Sequence, residues 1–353
     1  MIAFAYRSRR LVAAALLSIV GLGLSFPALA DAPAATGGCK LLKVGTLPLE
    51  LDGNSLLVKA QVNGKPAYFR VVTGSNVSVI SVQALAQLGQ PSRTKVLPPE
   101  YFSLDWMTLD TLDLGDWSAK DVRILSGLYG TLSDQYDVVG LLGMDILGKF
   151  DVEFDVGHKQ IVLYQPQGCE TAELAYWSNN YSLAEMDADN APRAHIRLLA
   201  TLNGQQVRAQ LASGVSISHL DQGLARQLGA EVVQPAAESL ADDQAKATHG
   251  PVAMLDTLAI GDEAVRHAKL RVSDLYKQSS VWAGQLQKVS YGRDHVPLSL
   301  GVDFLKSHRL YVAFSQRKIY FTYEGGPIFQ TVGPELTSGR EIDAVSETGV
   351  SRK

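Results

Sequence analysis

Cysteine, charge and long apolar runs are all scarce in this sequence. Two cysteines among 353 residues exclude a cysteine-rich scaffold and a four-thiolate zinc site. Only 19% of the residues are charged, and the 32 basic and 36 acidic side chains nearly cancel, which excludes the basic footprint of a nucleic-acid binder. Hydrophobic residues make up 46% of the chain, which is enough to build a core and excludes wholesale disorder.

The longest apolar run lies near the N-terminus. Three arginines precede an apolar run at 11–24, and residues 28–30 are the small residues that a signal peptidase requires. The run is too short for a comfortable membrane span, so an uncleaved anchor is the less favoured alternative. We expect residues 1–30 to be a signal peptide, the protein to be periplasmic or secreted, and no membrane span after cleavage. In such an oxidising compartment, Cys39 and Cys169 are expected to form a disulfide, with two free thiols as the less favoured alternative.

The rest of the chain repeats itself. Four segments of the first half recur in the same order in the second half, which indicates two homologous lobes. The matched pairs are Val62-Asn63-Gly64 with Leu202-Asn203-Gly204, Val72-Thr73-Gly74-Ser75 with Ala212-Ser213-Gly214-Val215, Leu109-Asp110-Thr111-Leu112 with Leu255-Asp256-Thr257-Leu258, and Leu142-Gly143-Met144-Asp145 with Leu300-Gly301-Val302-Asp303. We place lobe 1 at 31–165, a linker at 166–191, lobe 2 at 192–323, and a polar, mobile tail at 324–353.

Each lobe is predicted to be mainly β, with short helices. Alternating apolar residues predict a strand at 58–62, and Asn63-Gly64 is typical of a tight turn that returns the chain into a second strand. Short helices are predicted at 82–88 and 222–228, because a glycine directly follows each segment. Each lobe is expected to end in a β-hairpin.

The strand that ends in Val72-Thr73-Gly74-Ser75 resembles the active-site strand of retropepsin-like aspartic proteases. That motif reads apolar-apolar-Asp-Thr/Ser-Gly-Ala/Ser, followed by a run like Ser78-Val79-Ile80. Ala212-Ser213-Gly214 resembles it again, and Leu141-Leu142-Gly143 and 298–301 resemble the later apolar-apolar-Gly element of the family. The resemblance implies an all-β, bilobal acid-protease fold. Because both lobes are in one chain, we expect a monomer that forms an intramolecular pseudo-dimer.

The two catalytic positions of that family hold Val72 and Ala212 in this chain. The chemistry of the family needs two facing aspartates that share one proton and activate a water between them. Neither a valine nor an alanine side chain can bind or deprotonate a water. We therefore expect no catalysis by the two-aspartate mechanism, and no catalytic residue is retained.

The resemblance also assigns residues to a binding cleft. Thr73 and Ser213 keep the hydroxyls that hydrogen-bond across the two lobes in the family, and Gly74 and Gly214 keep the tight turns. An extended peptide or protein segment is the expected partner.

In the family, a β-hairpin flap closes over the bound peptide. By position, the first-lobe flap is expected at 97–108, which contains Tyr101, Phe102 and Trp106; the second is expected at 246–254, with His249-Gly250-Pro251 at its tip. Aromatic residues on such a hairpin suit peptide capture, although packing beneath the hairpin would explain them equally well.

No other group in the sequence replaces the missing aspartates. Asp145 and Asp303 match a structural acidic position of the family. The spacing of Ser213 and His219 permits a nucleophile pair, but such a pair also needs a third, orienting group, of which the sequence shows no sign. There is no metal-type cluster, phosphate-binding loop or dinucleotide fingerprint, so we expect neither a metal nor a cofactor.

Three functions fit these residues. The first is an exported pseudoprotease that binds an extended segment in the inter-lobe cleft without cutting it. The second is an aspartic endopeptidase in an inactive form, since aspartates at positions 72 and 212 would complete both motifs. The third is a structural component of the cell envelope that uses the fold without its cleft.

Overall fold

The computed structural model describes residues 38–89, 105–128, 132–133, 135–188, 195–233, 250–274 and 296–329. From Gly38 onward, these residues belong to one compact unit. The predicted signal peptide at 1–30, the predicted tail after residue 329, and Tyr101, Phe102 and His249 lie outside the described residues.

Strands carry most of the structure in both repeats. The first repeat contains β1 (Lys40–Asp52), β2 (Ser55–Val62), β3 (Lys65–Val71), β4 (Val79–Ser81), α1 (Val82–Gln87), β5 (Asp105–Leu114), β6 (Trp117–Leu128), β7 (Val138–Leu142), α2 (Met144–Leu147), β8 (Asp151–Asp155) and β9 (Gln160–Gln167). The second contains β10 (Ser182–Glu185), β11 (Arg197–Leu202), β12 (Gln205–Leu211), β13 (His219–Asp221), α3 (Gln222–Gln227), β14 (Glu231–Val233), β15 (Val252–Ile260), β16 (Glu263–Ser273), β17 (Leu298–Leu300), α4 (Val302–Ser307), β18 (His308–Ala313) and β19 (Lys318–Tyr323).

Each repeat rolls its strands into a closed sheet with the same connectivity. In the first repeat, β3 runs parallel to β7, β7 antiparallel to β4, and β4 parallel to β6, while β5 pairs with both β6 and β2. In the second, β12, β17, β13, β16, β15 and β11 repeat these pairings in the same order. The predicted all-β fold with two similar lobes is therefore confirmed.

The Asn-Gly turns form where the sequence predicts them. Asn63 and Gly64 have φ values of 49° and 78°, and their counterparts in the second repeat have 47° and 81°. Positive φ at both central residues gives the turn a twist that matches the flanking strands. The Asn63 side-chain oxygen also accepts a hydrogen bond of 2.9 Å from the Thr111 N–H, which ties the turn to β5.

The two predicted short helices are confirmed as α1 and α3. Ser81 caps α1 by accepting a hydrogen bond from the Ala84 N–H, and Asp221 caps α3 by accepting from the N–H groups of Gly223 and Leu224. Gly89 and Gly229 end them with φ values of 68° and 60°, in the left-handed region that glycine adopts without strain.

A central antiparallel layer joins the two repeats. Its strand order is β10-β19-β18-β8-β9-β1, so the closing hairpins of both repeats lie side by side through the β8–β18 pair. The segment at 166–191, predicted as a linker, contributes β10, which pairs with β19 as β1 pairs with β9. Four residues are too few for the sequence pattern to reveal this strand.

The segment that follows β9 covers the outer face of this layer. Leu174 and Ala175 pack there against Tyr164, Tyr311 and Tyr320 in a cluster separate from the main core.

The predicted disulfide between Cys39 and Cys169 is confirmed, with a sequence separation of 130 residues. It fastens the start of β1 to the segment that follows β9.

None of the helices that the structure describes has both the length and the apolar character needed to cross a bilayer.

The first residues of the predicted tail are packed. The tail is predicted to begin at residue 324, but Ile328 and Phe329 pack against the main core.

Candidate functional site

The two glycine turns of the repeats meet at the junction of the lobes. The Thr73 hydroxyl donates to the Leu211 carbonyl and the Ser213 hydroxyl to the Val71 carbonyl, each at 2.7 Å. In return, each hydroxyl accepts the backbone N–H of the opposite residue, both at 3.0 Å. Both side chains are buried. Every polar group of this exchange has a partner from the other repeat, which satisfies the hydrogen-bonding need of buried groups.

The backbone on either side of the junction is held by a matching set of bonds. The Val72 N–H donates to the Leu142 carbonyl at 2.9 Å, and the Ala212 N–H to the Leu300 carbonyl at 2.8 Å. A Cβ on Gly143 would lie 2.6 Å from the Val77 backbone, so this close approach requires a glycine. The carbonyls at the ends of β7 and β17 therefore hold the two glycine turns in equivalent positions.

Asp145 and Asp303 have structural contacts in the described residues. Ser78 donates to the Asp145 carboxylate at 2.6 Å, and Ser218 to the Asp303 carboxylate at 2.7 Å. The same two hydroxyls accept the N–H groups of the glycines that precede α2 and α4. Each aspartate therefore has a structural role: through a serine hydroxyl, it is linked to the glycine turn that precedes α2 or α4.

Val72 and Ala212 lie at the centre of the junction, each one residue before a bridging hydroxyl. Ala212 is buried and Val72 half-buried. A Cβ on Gly214 would lie 2.9 Å from Val72 Cγ1, so the valine side chain packs directly on the opposite turn. Gly74 is exposed, whereas Gly214 is half-buried. The centre of the junction is therefore apolar.

Trp106 is the one flap residue in the predicted site that the described part of the chain contains. It lies on β5, is 52% exposed, and its ring stacks with the Arg123 guanidinium at 4.8 Å. Its register partner is Leu125 on β6, so the two side chains share one face of the sheet.

The structure places the predicted tip of the second flap differently. The Pro251 carbonyl accepts a 2.7 Å hydrogen bond from the Val272 N–H, so residues 250–251 lie against β16. Val252 already pairs with Val233 of β14. The connection between these strands falls outside the described residues.

His219 does not pair with Ser213. Its Nδ1 lies 3.0 Å from the Ser273 hydroxyl, while the Ser213 hydroxyl is committed to Val71. Burial and the nearby Arg271 charge lower the pKa of His219 to about 4, so the imidazole is neutral at pH 7. Its buried Nε2 has no hydrogen-bond partner among the residues that the structure describes.

A small apolar cluster beside the first turn was missed in the sequence analysis. Val79 and Leu125 are its buried members, and Leu141 packs against them. Pairing of β4 with β6 and β7 forms this cluster, and the sequence carries no signal for that pairing.

Among the described residues, no group of three or more His, Cys, Asp or Glu side chains could hold a metal ion.

Comparisons with known proteins return similar folds alone. No protein-family model matches the chain, and no curated protein does. A retropepsin-like aspartic protease from Rickettsia conorii matches with 20% identity and a TM-score of 0.27, over 36% of this chain and 94% of that chain. An aspartic proteinase from Irpex lacteus matches with 11% identity and a TM-score of 0.47, over 82% of this chain and 99% of that chain.

Proposed function

We propose that this protein is an exported, non-catalytic protein with an aspartic-protease fold that binds an extended peptide or protein segment between its two lobes. The observation that carries the proposal is the hydroxyl exchange of Thr73 and Ser213, which is complete while Val72 and Ala212 occupy the two positions at its centre. With apolar side chains there, these two positions supply no carboxylate pair that could activate a water.

Apolar side chains at the junction suit binding rather than cleavage. An active pair would carry negative charge, which must stay hydrated or share a proton. The half-buried Val72 instead offers apolar surface, and displacement of water from that surface by a bound segment is favourable. Trp106 on β5 of the first lobe adds an exposed aromatic ring that a bound segment can contact.

Export is the second part of the proposal. The disulfide between Cys39 and Cys169 supports it, because such bonds persist in oxidising compartments. We place the protein in the periplasm or outside the cell, as a monomer in which the two lobes act as a pseudo-dimer.

A second candidate is an aspartic endopeptidase in an inactive form. The matched backbone bonds of Val72 and Ala212 favour it, because they hold both positions in equivalent geometry. Aspartates introduced at the two positions would face each other across the junction and could share a proton.

The first prediction is that the protein as it stands does not hydrolyse peptides between pH 3 and 6, a range of roughly acid-protease conditions. The test measures cleavage of a fluorogenic peptide library by the unaltered protein and by the Val72→Asp/Ala212→Asp variant. The Val72→Asn/Ala212→Asn variant is the matched control, since it has the same shape without an acid or base. Binding of the same peptides to the unaltered protein is measured in parallel.

Four outcomes separate the candidates. Pepstatin-sensitive cleavage by the unaltered protein would overturn the proposal. Peptide binding without cleavage, in a protein that the two aspartates do not activate, supports it. Cleavage by the aspartate variant alone favours the inactive endopeptidase. Absence of both binding and cleavage in all variants would favour a structural envelope component.

A further inference from the structure

The space beside each glycine turn is filled differently in the two lobes. A Cβ on Gly214 would lie 2.9 Å from Val72 Cγ1 and 3.6 Å from Val72 Cγ2, so the valine fills the space beside the second turn. Ala212, the counterpart of Val72, has no γ-carbon. A Cβ on Gly74 would instead lie 3.3 Å from Gln210 Nε2, which is the one described atom within 4 Å outside the neighbouring residues of the chain.

The Gln210 side chain reaches this place from the second lobe. Gln210 lies on β12 between Ala209 and Leu211, both of which are buried in the core. Since alternate residues of a strand face opposite sides of the sheet, Gln210 lies on the face of β12 that is turned away from that core. Its amide therefore crosses the junction and lies beside the exposed Gly74 of the first lobe.

The amide of Gln210 is not used within the described part of the chain. Its side chain makes no hydrogen bond to a described residue, and neither of its polar atoms is one of the fully enclosed atoms without a partner. Gln210 is half-buried, so the amide is open to solvent at the junction. A carboxamide offers two N–H donors and one carbonyl acceptor.

The equivalent position of the first lobe has a different role. Arg70 is the counterpart of Gln210, because each lies two residues before the central apolar residue of its lobe and pairs with β7 or β17. The Arg70 guanidinium donates a hydrogen bond to the Leu132 carbonyl of its own lobe. The open amide of Gln210 thus makes the two sides of the junction unequal.

The backbone of an extended segment carries the groups that this amide can bind. In a hydrogen-bonded β pair, one residue directs both its N–H and its C=O to the same neighbour. A carboxamide can accept from that N–H and donate to that C=O at the same time. A segment that covers Val72 also removes water from Gln210, and an amide left dehydrated without a partner is costly.

We propose that Gln210 binds the backbone N–H and C=O of one residue of the bound segment, beside Gly74. This inference rests on the proposed function and adds to it the residue that holds the segment at the junction. The group recognised is the peptide backbone, whose N–H and C=O are the same in nearly every residue. The contact therefore fixes the position of the segment without selecting a particular side chain.

Amide-to-ester replacement along a bound peptide tests this contact. A peptide that binds the full exported protein is prepared as a series in which one backbone N–H at a time is replaced by an ester oxygen. At one position we expect the ester to raise the Kd by about three- to tenfold, because one hydrogen bond is lost. In Gln210→Met, whose side chain keeps the length but not the amide, the ester at that position should no longer raise the Kd.

Two further variants make the test specific. Gln210→Glu keeps an acceptor for the backbone N–H, so the ester penalty at that position should remain. Gln206→Met changes an exposed glutamine on the same strand and the same face, and should leave every ester penalty unchanged.

NMR gives a second measurement that does not depend on the affinity of a variant. The side-chain NH2 signals of Gln210, assigned by their loss in Gln210→Met, should shift when the parent peptide binds the unaltered protein. This measurement decides the matter if Gln210→Met binds too weakly for a Kd, and unmoved signals would then overturn the inference.

The outcomes distinguish this inference from the proposed function. If no peptide binds the unaltered protein, the proposed function fails and the inference fails with it. If peptides bind but every ester penalty is the same in Gln210→Met, the inference alone is overturned. A uniform loss of affinity in Gln210→Met, with all penalties kept, would assign Gln210 a structural role and also overturn it.

Discussion

Single residues decide what the junction can do, because the backbone around them is the same in both repeats. Thr73 and Ser213 exchange identical hydrogen bonds, although their neighbours Val72 and Ala212 differ in size. The same holds for β4 and β13, where Val79 and His219 occupy equivalent strand positions with opposite polarity. The two repeats thus share one backbone geometry, and a few side chains determine the chemistry of each.

His219 leads to a prediction about pH. In the unfolded chain the imidazole has its ordinary pKa of about 6.5, whereas the buried His219 has a pKa of about 4. The unfolded state therefore binds more protons between these values, and the free energy of unfolding falls as the pH drops from about 6.5 to about 4. The loss attributable to His219 is on the order of 3 kcal/mol.

Urea unfolding of the protein and of His219→Val, measured at several pH values, tests this prediction. The valine is the residue of the equivalent position in the first lobe, and the variant should lose stability less steeply on acidification. His267→Val changes an exposed histidine and should keep the original slope. Equal slopes for the protein and His219→Val would contradict the prediction.

At the scale of elements, β3 with its glycine turn and β12 with its glycine turn stabilise each other. Neither turn satisfies its own hydroxyl, since each hydroxyl donates to a carbonyl at the end of the other repeat's strand. In the described residues, the hydroxyls that directly follow β3 and β12 therefore find their hydrogen-bond partners in the opposite repeat. We expect this dependence to couple the folding of the two lobes.

Replacement of Thr73 by Val tests this coupling. The change keeps the shape of the side chain but leaves the Leu211 carbonyl and the Ser213 N–H without their partner. We expect the free energy of unfolding to fall by about 1–3 kcal/mol for each buried group left unpaired. Chemical denaturation measures it, with Thr108→Val on the exposed face of β5 as the control. A Thr73→Val protein as stable as the control variant would disprove the coupling.

At the scale of the whole molecule, a buried ion pair joins the repeats through the central layer. Glu153 on β8 is fully buried and accepts a 2.6 Å hydrogen bond from Arg309 Nε on β18. The hydroxyls of Tyr164 and Tyr176 donate to its other carboxylate oxygen at 3.0 and 2.7 Å. Burial is the main cause that raises the pKa of Tyr164, which keeps this hydroxyl protonated as a donor.

Removal of one partner of this pair should be costly. Arg309→Met leaves the Glu153 carboxylate buried without its cation, and we expect a loss of about 3–5 kcal/mol in the free energy of unfolding. The double variant Glu153→Leu/Arg309→Met should be more stable than Arg309→Met, because it removes the unpaired charge as well. Denaturation of both single variants and the double variant gives the coupling energy.

The control for this cycle is the surface pair of the half-buried Glu50 and the exposed Lys59, with an N–O distance of 2.9 Å. Glu50→Gln should leave unfolding almost unchanged, because exposed ion pairs contribute little. Additive effects of the Glu153 and Arg309 substitutions would show that the pair does not couple the repeats.

The sequence alone determined the features that depend on local patterns. The Asn-Gly turns, the helices that end at Gly89 and Gly229, and the two-fold repeat follow from residues that are neighbours in the chain. The disulfide could be predicted because the chain has two cysteines. These features need no knowledge of which distant strands pair.

Tertiary structure decided what depends on pairing between distant segments. The β8–β18 pair, the place of β10 at the sheet edge and the burial of His219 beside Arg271 bring together residues far apart in the sequence. Strand periodicity shows which face of a strand is apolar, but it does not show which strand lies beside it. For that reason the motif residues could be located in the sequence, whereas the burial of His219 beside Arg271 became visible only in the folded chain.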